Sequence, residues 1–394
     1  MEAKVTASGP EDLCTQCKQR LSRPKSAPAR TPQAAAASGL EGVVVAETRL
    51  SDVDGERGRL TIAGHDVEAL TGRASFEDVC ALLWDGRLPD AAGGEAMRAE
   101  LARGRAAAFE QLPPLLPLLG ADDAMDALRA TVAAFASPLG VRPDAALTGA
   151  LAVFAAAWVR RRAGAAPVPP DPALPHAADY LRMNSGAPPS EPLARALDAY
   201  LVTVSEHGLN ASTFTARVVA STGSDLVSAV TAAVGALKGP LHGGAPGPVL
   251  DMLDAIGAPG RAEAWLDAEL AAGRRVMGMG HRIYRTRDPR AAVLERAIER
   301  LEGAGVRTER LALARAVERA AETALRARHP ERPLLANVEF FTAVVLDAVG
   351  LPREAFASTF AVARVAGWCA HVAEQRAVGR LVRPASVYVG ASAA

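Results

Sequence analysis

The stretch AALTGALAVFAAAWV, residues 145–159, is the longest apolar run in the chain, and three arginines follow it at 160–162. Alanine and leucine are strong helix formers. The run is shorter than the ~18–20 apolar residues that a membrane-spanning helix requires. The sequence therefore predicts that this segment is a helix buried inside a folded core.

The composition of the whole chain is typical of a helical globular protein. Its 394 residues are enough for two domains. Lys plus Arg and Asp plus Glu balance at 44 each, and aromatic residues make up only 4%, so neither a basic surface nor a stacking platform for nucleic acid is indicated. The first twenty residues are polar and do not resemble a secretory signal. We expect a cytoplasmic protein with no nucleic-acid or membrane partner.

Capping signals divide the rest of the chain into further helices. Predicted helix starts share an N-cap residue of the Ser, Asp or Asn type: Ser75, Ser190, Ser224, Asp288 and Asn337. Predicted helix ends share a glycine: Gly86, Gly239 and Gly350. A last helix is predicted from about residue 353 to residue 375 and carries Arg364.

Strand signals are few and short. Residues 43–48 and 60–62 are predicted as strands on either side of a polar turn at 52–55. Long strands are missing, so a doubly wound sheet cannot form. The sequence therefore predicts an all-α fold with a few short strands near the N-terminus.

Residues 1–38 differ from the rest, because they are rich in Pro, Ser, Ala, Lys and Arg and have no hydrophobic period. We interpret them as a disordered tail. Cys14 and Cys17 form a CxxC there, which is weak evidence for zinc without a second pair or a nearby histidine. Cys80 and Cys369 lie in apolar helical contexts and are predicted to be core thiols.

Three of the seven histidines lie in glycine- or asparagine-rich segments. These are HGLNASTF from His207, GPLHGGA around His242, and MGMGHRIYRTRDPRA around His281. Glycine has no Cβ, so the backbone beside it can approach a ligand closely. Any one of these could be an ordinary loop or core histidine, but the three together predict a small-molecule site.

Arginines in apolar or tightly patterned segments accompany these histidines. Arg290 follows the Asp-Pro pair that starts a helix, Arg364 lies in the apolar segment FAVARVAGW, and Arg383 comes near the C-terminus. The guanidinium fork matches a carboxylate, and a buried arginine needs an anionic partner. For Arg364, the alternative is an internal salt bridge.

Glu339 is the lone acid in VEFF, at the first turn of an otherwise apolar helix. A carboxyl among apolar groups has a raised proton affinity and can act as a base on carbon. The alternative is that Glu339 only provides favourable charge at the helix start.

Two kinds of site compete for these residues. The first is a metal site on the three histidines, but no HxH, HExxH or clustered carboxylate spacing supports it, and arginines would repel a cation. The second is metal-free acid–base chemistry on a dicarboxylate, in which histidines donate to carbonyl oxygens. We favour the second and expect no metal.

The motifs over about residues 39–394 resemble those of the citrate synthase family. The segments that carry the resemblance are GLEGVVVAET, the three histidine motifs, DPRA, NVEFF, FAVARVAGW and RPASVYVG. They are most similar to the shorter, dimeric bacterial type, which contains citrate synthases and 2-methylcitrate synthases. The resemblance implies an all-helical homodimer whose small domain closes over substrate.

The resemblance also implies a role for each histidine and arginine. His207 would bind oxaloacetate, His242 would donate to the thioester oxygen of acetyl-CoA, and His281 would polarise the oxaloacetate carbonyl. Arg290 and Arg364 would clamp the oxaloacetate carboxylates, and Arg383 would complete the site of the partner subunit.

Glu339 would be the general base, although the family usually has aspartate at that position. The loop that would bind the coenzyme A nucleotide comprises Gly278, Met279, Gly280 and Arg282. No tightly bound cofactor is implied, because the coenzyme A thioester is a substrate.

The resemblance predicts three parts after the tail. Residues 39–253 and 365–394 would form the large domain, and residues 254–364 the small domain. The predicted reaction is condensation of acetyl-CoA with oxaloacetate. Propionyl-CoA as donor, giving 2-methylcitrate, and a weakly active or non-catalytic ligand-binding paralogue stay open as alternatives.

Overall fold

The computed structural model describes residues 39–40, 42–243, 246–281, 284–306, 309–331 and 334–390. The predicted tail, with Cys14 and Cys17, lies outside the described residues. The chain divides into two compact units, one of residues 1–47 with 385–394 and the other of residues 48–384. The second unit contains every helix and strand of the described residues. The large- and small-domain boundaries stay a prediction.

The described part of the chain is built from α-helices, as the sequence predicts. They are α1 Val67–Leu70, α2 Phe76–Asp85, α3 Ala91–Glu110, α4 Leu112–Leu115, α5 Ala124–Ala133, α6 Pro143–Arg162, α7 His176–Ser185, α8 Glu191–Val204, α9 Ala211–Ser221, α10 Leu226–Leu237, α11 Pro246–Ile256, α12 Ala262–Ala271, α13 Pro289–Gly303, α14 Glu309–Arg328, α15 Val338–Ala348 and α16 Phe356–Val378. None of the helices in these ranges is long and apolar enough to cross a membrane.

The capping signals predicted most helix starts correctly. Ser75 and Asp78 form a capping box on α2, and Ser190, Asp288 and Asn337 are the N-cap residues of α8, α13 and α15. The prediction for α10 was wrong by one residue, because the side chain of Asp225 rather than Ser224 caps it. The last predicted helix is interrupted, with a 3-10 turn at Arg353–Ala355 before α16.

A single antiparallel sheet of the described residues contains β1 Ser51–Asp54, β2 Arg59–Ile62 and β3 His65–Asp66, in that order. The strand predicted at 60–62 is confirmed. The strand predicted at 43–48 was wrong: no strand forms there, and the predicted turn at 52–55 is largely β1. A strand needs a partner in register. β1 has one in β2, where Ser51 pairs with Ile62 and Asp54 with Arg59, and the apolar residues at 43–45 have none among the described residues.

The helix predicted from residues 145–159 forms the middle of α6, and it is buried throughout. It crosses α3 with almost no gap, because a Cβ on Gly104 would lie 2.2 Å from the carbonyl oxygen of Ala145. A Cβ on Gly149 would lie 2.3 Å from the backbone nitrogen of Arg105. Glycine is required at both positions for this close approach. α16, which carries Arg364, packs against α6 and also contacts α8 and α9, and the turn between those two helices carries His207.

Candidate active site

The turn between α8 and α9 presents His207 beside two helix ends. His207 is half-buried and lies 6.5 Å from the ring of Phe360, centroid to centroid. Burial lowers the pKa of His207 well below its usual value, and Arg364 and Arg290 lower it further. Gly208 follows with φ of +85°, a conformation that favours glycine. His207 is therefore neutral and within the electrostatic reach of both arginines.

His242 has a defined tautomer because of its contacts with α9. Its Nε2 lies 3.3 Å from the backbone nitrogen of Ser212 and 2.8 Å from the Ser212 Oγ. A backbone N–H can only donate, so Nε2 accepts and the proton is on Nδ1. Burial lowers the pKa of His242 to about 4. The ring is therefore neutral at physiological pH, with Nδ1–H as a hydrogen-bond donor.

Trp368 of α16 supports the same contact from the other side. Its Nε1 donates to the Ser212 Oγ at 3.2 Å, and that hydroxyl lies 2.8 Å from the Oδ1 of Asn210. Asn210 is also the N-cap residue of α9. The orientation of His242 thus depends on Ser212 and Trp368, which lie in the quoted segments HGLNASTF and FAVARVAGW but were not predicted as site residues.

His281 and Arg290 approach each other to 3.4 Å between Nε2 and Nη2. The backbone N–H of Tyr284 donates to the His281 Nδ1 at 3.2 Å, so the ring proton is on Nε2. Burial lowers the pKa of His281 to about 4, with Arg290 as the next cause. Two N–H donors therefore face the same small volume, and an oxygen placed between them would accept from both.

Arg290 is held by the residue that caps its own helix. Its Nε and Nη2 donate to the two carboxylate oxygens of Asp288 at 3.0 and 2.8 Å. Asp288 is 1% exposed and also accepts from the backbone N–H of Val338 at 3.0 Å. Arg290 lies in the first turn of α13 and Val338 begins α15, so Asp288 joins the starts of the two helices that carry Arg290 and Glu339. Sequence reasoning identified Asp288 only as an N-cap.

Arg364 is fully buried and incompletely paired. Its Nε donates to the carbonyl oxygen of Val204 at 2.8 Å, and its guanidinium lies over the ring of Phe360 at 5.0 Å. Nη1 and Nη2 have no hydrogen-bond partner among the described residues, and no carboxylate of those residues is within salt-bridge distance. Burial lowers the pKa of Arg364 to about 10, so it stays charged at neutral pH. The internal salt bridge considered for Arg364 is absent from the described part of the chain.

Glu206, which precedes His207, is a buried carboxylate that the sequence reading missed. Its Oε1 accepts from the Ser51 hydroxyl at 2.8 Å, from the Gly208 N–H at 2.6 Å and from the His371 Nε2 at 3.1 Å. Burial alone would raise the pKa of Glu206, but His371 and Arg364 together hold it at about 2. The sequence signal for Glu206 is its position directly before the motif histidine His207. Acids at such positions are commonly exposed on the surface, so this signal alone does not indicate a buried carboxylate.

Glu339 lies half-buried in the first turn of α15, and its carboxylate has no hydrogen bond or ion pair within the described ranges. Burial raises the pKa of Glu339 to about 7, although Arg290 and Arg364 oppose that shift. The helix start is already capped, because the Asn337 Oδ1 accepts from the Glu339 N–H at 3.0 Å. Glu339 is therefore not needed for capping and has the properties of a base near neutral pH.

The glycine loop before His281 packs directly on the residues that lead into α15. The Gly280 N–H donates to the Leu335 carbonyl at 2.7 Å, and the Asn337 side-chain amide donates to the Gly280 carbonyl at 2.8 Å. Met279 pairs with Ala336 in an isolated bridge. Gly278 has φ of +74°, and a Cβ there would lie 2.9 Å from Phe340. Arg282, the fourth predicted residue of this loop, lies outside the described residues.

Arg383 is the predicted site residue that the single chain does not bring into this cluster. It is exposed in the extended segment after α16 and forms no ion pair with the residues of the described ranges. Its assignment to the partner's site stays a prediction. The same ranges contain no group of three His, Cys, Asp or Glu side chains that could hold a metal ion.

Comparisons with known proteins match this chain to citrate synthases and 2-methylcitrate synthases. The family model described as "Citrate synthase, C-terminal domain" matches residues 39–385. The "Putative citrate synthase 2" of Mycobacterium tuberculosis is 41% identical over 370 residues, covering 89% of this chain and 92% of the relative. The citrate synthase of Haloferax volcanii is 39% identical, covering 89% and 95%. The 2-methylcitrate synthase of Mycobacterium tuberculosis is 36% identical, covering 89% and 90%.

The fold of this chain is also similar to that of a solved citrate synthase structure. The citrate synthase of Thermoplasma acidophilum, in its ternary complex with carboxymethyl coenzyme A and oxaloacetate, superposes with a TM-score of 0.80 at 28% identity. The match covers 90% of this chain and 96% of that one. With a family model that matches nearly the whole described sequence, this chain belongs to the citrate synthase family.

Proposed function

We propose that this protein is a citrate synthase, which condenses acetyl-CoA with oxaloacetate and water to give citrate and coenzyme A. The observation that carries the proposal is Arg364, a buried charged guanidinium whose two terminal nitrogens have no partner within the described residues. Such a group requires an anion. A carboxylate of oxaloacetate meets that requirement, and Arg290 and His281 present donors nearby.

Glu339 would start the reaction by removing a proton from the acyl α-carbon. Its pKa of about 7 suits a base at physiological pH. The electron pair left on carbon delocalises onto the thioester oxygen, where the Nδ1–H of neutral His242 would donate a hydrogen bond. A donor aimed at a developing oxyanion lowers the barrier more than it stabilises the ground state.

The enol carbon then attacks the carbonyl carbon of oxaloacetate and forms the new carbon–carbon bond. The electron pair of that carbonyl moves onto its oxygen, between the His281 Nε2–H and the Arg290 guanidinium. Water subsequently cleaves the thioester, which releases coenzyme A and makes the sequence irreversible. By holding oxaloacetate in place, Arg364 and Arg290 would make the condensation effectively intramolecular.

Acetyl-CoA and propionyl-CoA differ by one methylene, which changes the binding free energy by only about 1–3 kcal/mol. Relatives named for citrate and for 2-methylcitrate synthesis have similar identity to this chain, 39% and 36%. We propose acetyl-CoA as the preferred donor, in a cytoplasmic homodimer in which Arg383 reaches the partner's site.

The test is a thiol-release assay with purified protein. We expect release of coenzyme A from acetyl-CoA only when oxaloacetate is present, and a higher kcat/KM with acetyl-CoA than with propionyl-CoA. The reverse order would assign 2-methylcitrate synthesis. Folded protein that releases no thiol with either donor would contradict the enzymatic function altogether and favour a ligand-binding role.

A further inference from the structure

A second cavity, of about 660 Å³, lies apart from the candidate active site. It is bounded by the turn at residues 72–75, the start of α8 and the end of α13. Its floor is made of small apolar side chains, including the buried Ala196, Ala199 and Ala297. A volume of this size is within the range of small-molecule sites.

The charged side chains of this cavity are mostly arginines. Arg73, Arg195 and Arg300 line it. Arg195 pairs with the exposed Glu191, whereas Arg73 and Arg300 form no ion pair within the described part of the chain. The guanidinium of Arg300 lies against the Gly72 backbone, since a Cβ there would be 3.0 Å from its Nη1. Two uncompensated positive charges therefore face the same space.

Of the two acids that line the cavity, Glu191 is paired with Arg195, and Asp198 does not cancel the remaining positive charges at neutral pH. Asp198 accepts a hydrogen bond from the backbone N–H of Phe76 at 3.0 Å. Burial raises the pKa of Asp198 to about 8, and the nearby Glu77 contributes to the rise. The wall is thus positively charged over an apolar floor, which suits a molecule with an anionic group and a small organic body.

The two helices at the cavity also carry active-site residues at their opposite ends. α8 begins at the cavity with Glu191 and leads to Glu206 and His207. α13 carries Arg290 in its first turn and ends at the cavity beyond Arg300. At a rise of 1.5 Å per residue, α8 spans about 20 Å from Glu191 to Val204, and Arg300 lies about 15 Å along α13 from Arg290. The two helices pack against each other, so a change in their separation at the cavity also changes their separation at the active site.

We propose that this cavity binds a phosphorylated small molecule, held by Arg73 and Arg300, and that its occupancy weakens oxaloacetate binding by keeping α8 and α13 apart. Phosphate oxygens match the guanidinium fork and the spacing of several arginines around one space. An occupant that fills the cavity opposes any closer approach of the two helices, and hence of His207 and Arg290 around a substrate.

Binding can be measured by calorimetry without relying on enzymatic activity. The probes are inorganic pyrophosphate, which offers charge alone, and adenosine monophosphate, which offers a phosphate and an organic body. We expect saturable binding to the wild-type protein, and a loss of roughly tenfold or more in affinity for each arginine removed in Arg73→Ala and Arg300→Ala. Arg261→Ala, which removes another exposed and unpaired arginine of the described residues, should leave binding unchanged.

Two results would overturn the proposal of the site. Either neither probe binds at millimolar concentration, or binding persists undiminished in the Arg73→Ala/Arg300→Ala double variant, which would place the probe elsewhere. Stronger binding of adenosine monophosphate than of pyrophosphate supports an organic phosphate as the natural ligand, and the reverse order supports a free polyphosphate.

The effect on the active site is measured in the thiol-release assay. We expect the bound probe to raise the KM for oxaloacetate in the wild-type protein and in Arg261→Ala, but not in the double variant, whose KM without probe should be normal. A KM that does not change when the cavity is saturated would overturn the coupling between the two sites.

Discussion

Arg364 is a buried arginine with two nitrogens that have no hydrogen-bond partner among the described residues. Its Nε is bonded to the Val204 carbonyl, but the charge of the guanidinium has no counterion in contact within the described residues. Among nearby charges, the carboxylate of Glu206 stabilises the charged form of Arg364 most. That carboxylate also accepts hydrogen bonds from Ser51, Gly208 and His371. A buried charge without a partner reduces stability, so the site is arranged for binding an anion at the expense of the free protein.

Removing the charge of Arg364 should therefore stabilise the empty protein. In Arg364→Gln, the neutral amide still offers a donor to Val204, and we expect the free energy of unfolding to rise by about 1 kcal/mol or more. Oxaloacetate should no longer raise the Tm. The measurement is denaturant and thermal unfolding with and without oxaloacetate.

Arg105→Gln is the matched control, because Arg105 is equally buried but is paired with Asp179 at 2.7 Å. Here we expect a loss of about 3 kcal/mol, since the buried carboxylate of Asp179 loses one of its two arginine partners and keeps only Arg182. If Arg364→Gln were destabilised as much as this control, the charge of Arg364 would be satisfied in the free protein and the inference would be wrong.

Glu339 should control the acidic limb of the pH profile. The base works only when ionised, so kcat/KM for acetyl-CoA should fall about tenfold per pH unit below the pKa of about 7. Glu339→Gln should abolish exchange of the acyl α-proton and leave oxaloacetate binding nearly intact, because Arg290 and Arg364 are unchanged. A Gln variant that keeps more than about a tenth of the wild-type kcat would remove Glu339 from the mechanism.

The same residue links stability to pH. Folded Glu339 keeps its proton up to about pH 7, whereas an unperturbed carboxyl loses it near 4.5. Between these values the folded state binds more protons than the unfolded state, so stability falls as pH rises. Above that window, the difference between the two pKa values corresponds to about 3 kcal/mol of lost stability. The free energy of unfolding of Glu339→Gln should exceed that of the wild-type protein by this amount. At about pH 4, where both states hold the proton, the two should be nearly equal.

At the scale of single residues, the sequence identified the groups with the strongest local signals. His207, His242 and His281 are beside glycines, and Arg364 and Glu339 are lone charges in apolar helices. Glu206 and Ser212 were missed because their importance comes from partners far away in the chain, His371 and Trp368. Such contacts depend on the packing of α16 against α8 and α9, which local patterns do not specify.

At the scale of elements, Asn337 connects a loop and a helix. Its Oδ1 caps α15 through the Glu339 N–H, and its Nδ2 donates to the carbonyl of Gly280. One side chain thus fixes the helix that carries the proposed base and the loop that is proposed to bind coenzyme A. The two functions can be separated, because aspartate keeps the acceptor and loses the donor.

We expect Asn337→Asp to keep the cap and lose the bond to the loop. Its stability should stay near the wild-type value, while the KM for acetyl-CoA rises several-fold and the KM for oxaloacetate changes little. Asn337→Ala should show the same rise in KM and also lose about 1 kcal/mol of stability with the cap. Equal KM values for acetyl-CoA in Asn337→Asp and the wild-type protein would show that the bond to Gly280 does not position the loop.

The predicted helix boundaries were mostly right because caps are local, whereas the strands were only half right. Ser75 and Asp288 bond to backbone groups two or three residues away, so the signal and the structure lie in the same short segment. β1 forms where residues 51–54 meet β2 across a tight turn. The apolar residues 43–45 have strong strand propensity, but propensity does not supply a partner.

At the scale of the whole molecule, the position of Arg383 favours a site shared between subunits. All other proposed site residues in the described ranges lie in buried or half-buried positions of residues 207–364, but Arg383 is exposed beyond the last helix. An exposed arginine that forms no ion pair with the described residues of its own chain is available to a second copy. This interpretation is tested by mixing inactive variants.

Mixed Arg383→Ala and His242→Ala proteins should recover part of the wild-type activity. Each hybrid dimer then has one site with both residues intact, so about a quarter of all sites are active when subunits exchange freely and both variants are equally abundant. The readout is oxaloacetate-dependent thiol release after exchange has been shown with differently tagged subunits. No recovery despite exchange would mean that both residues act in the same chain's site.

Because Arg364 has no counterion in contact among the described residues, we expect the lifetime of the protein in a cell to depend on the supply of its substrate. A ligand that binds only the folded state lowers the fraction of molecules that open transiently and are accessible to proteases. In the proposed function oxaloacetate is the counterion of Arg364, so we expect a cell rich in oxaloacetate to accumulate this enzyme, and a starved cell to degrade it faster at an unchanged rate of synthesis. The abundance of the catalyst would follow the demand for it without any transcriptional control.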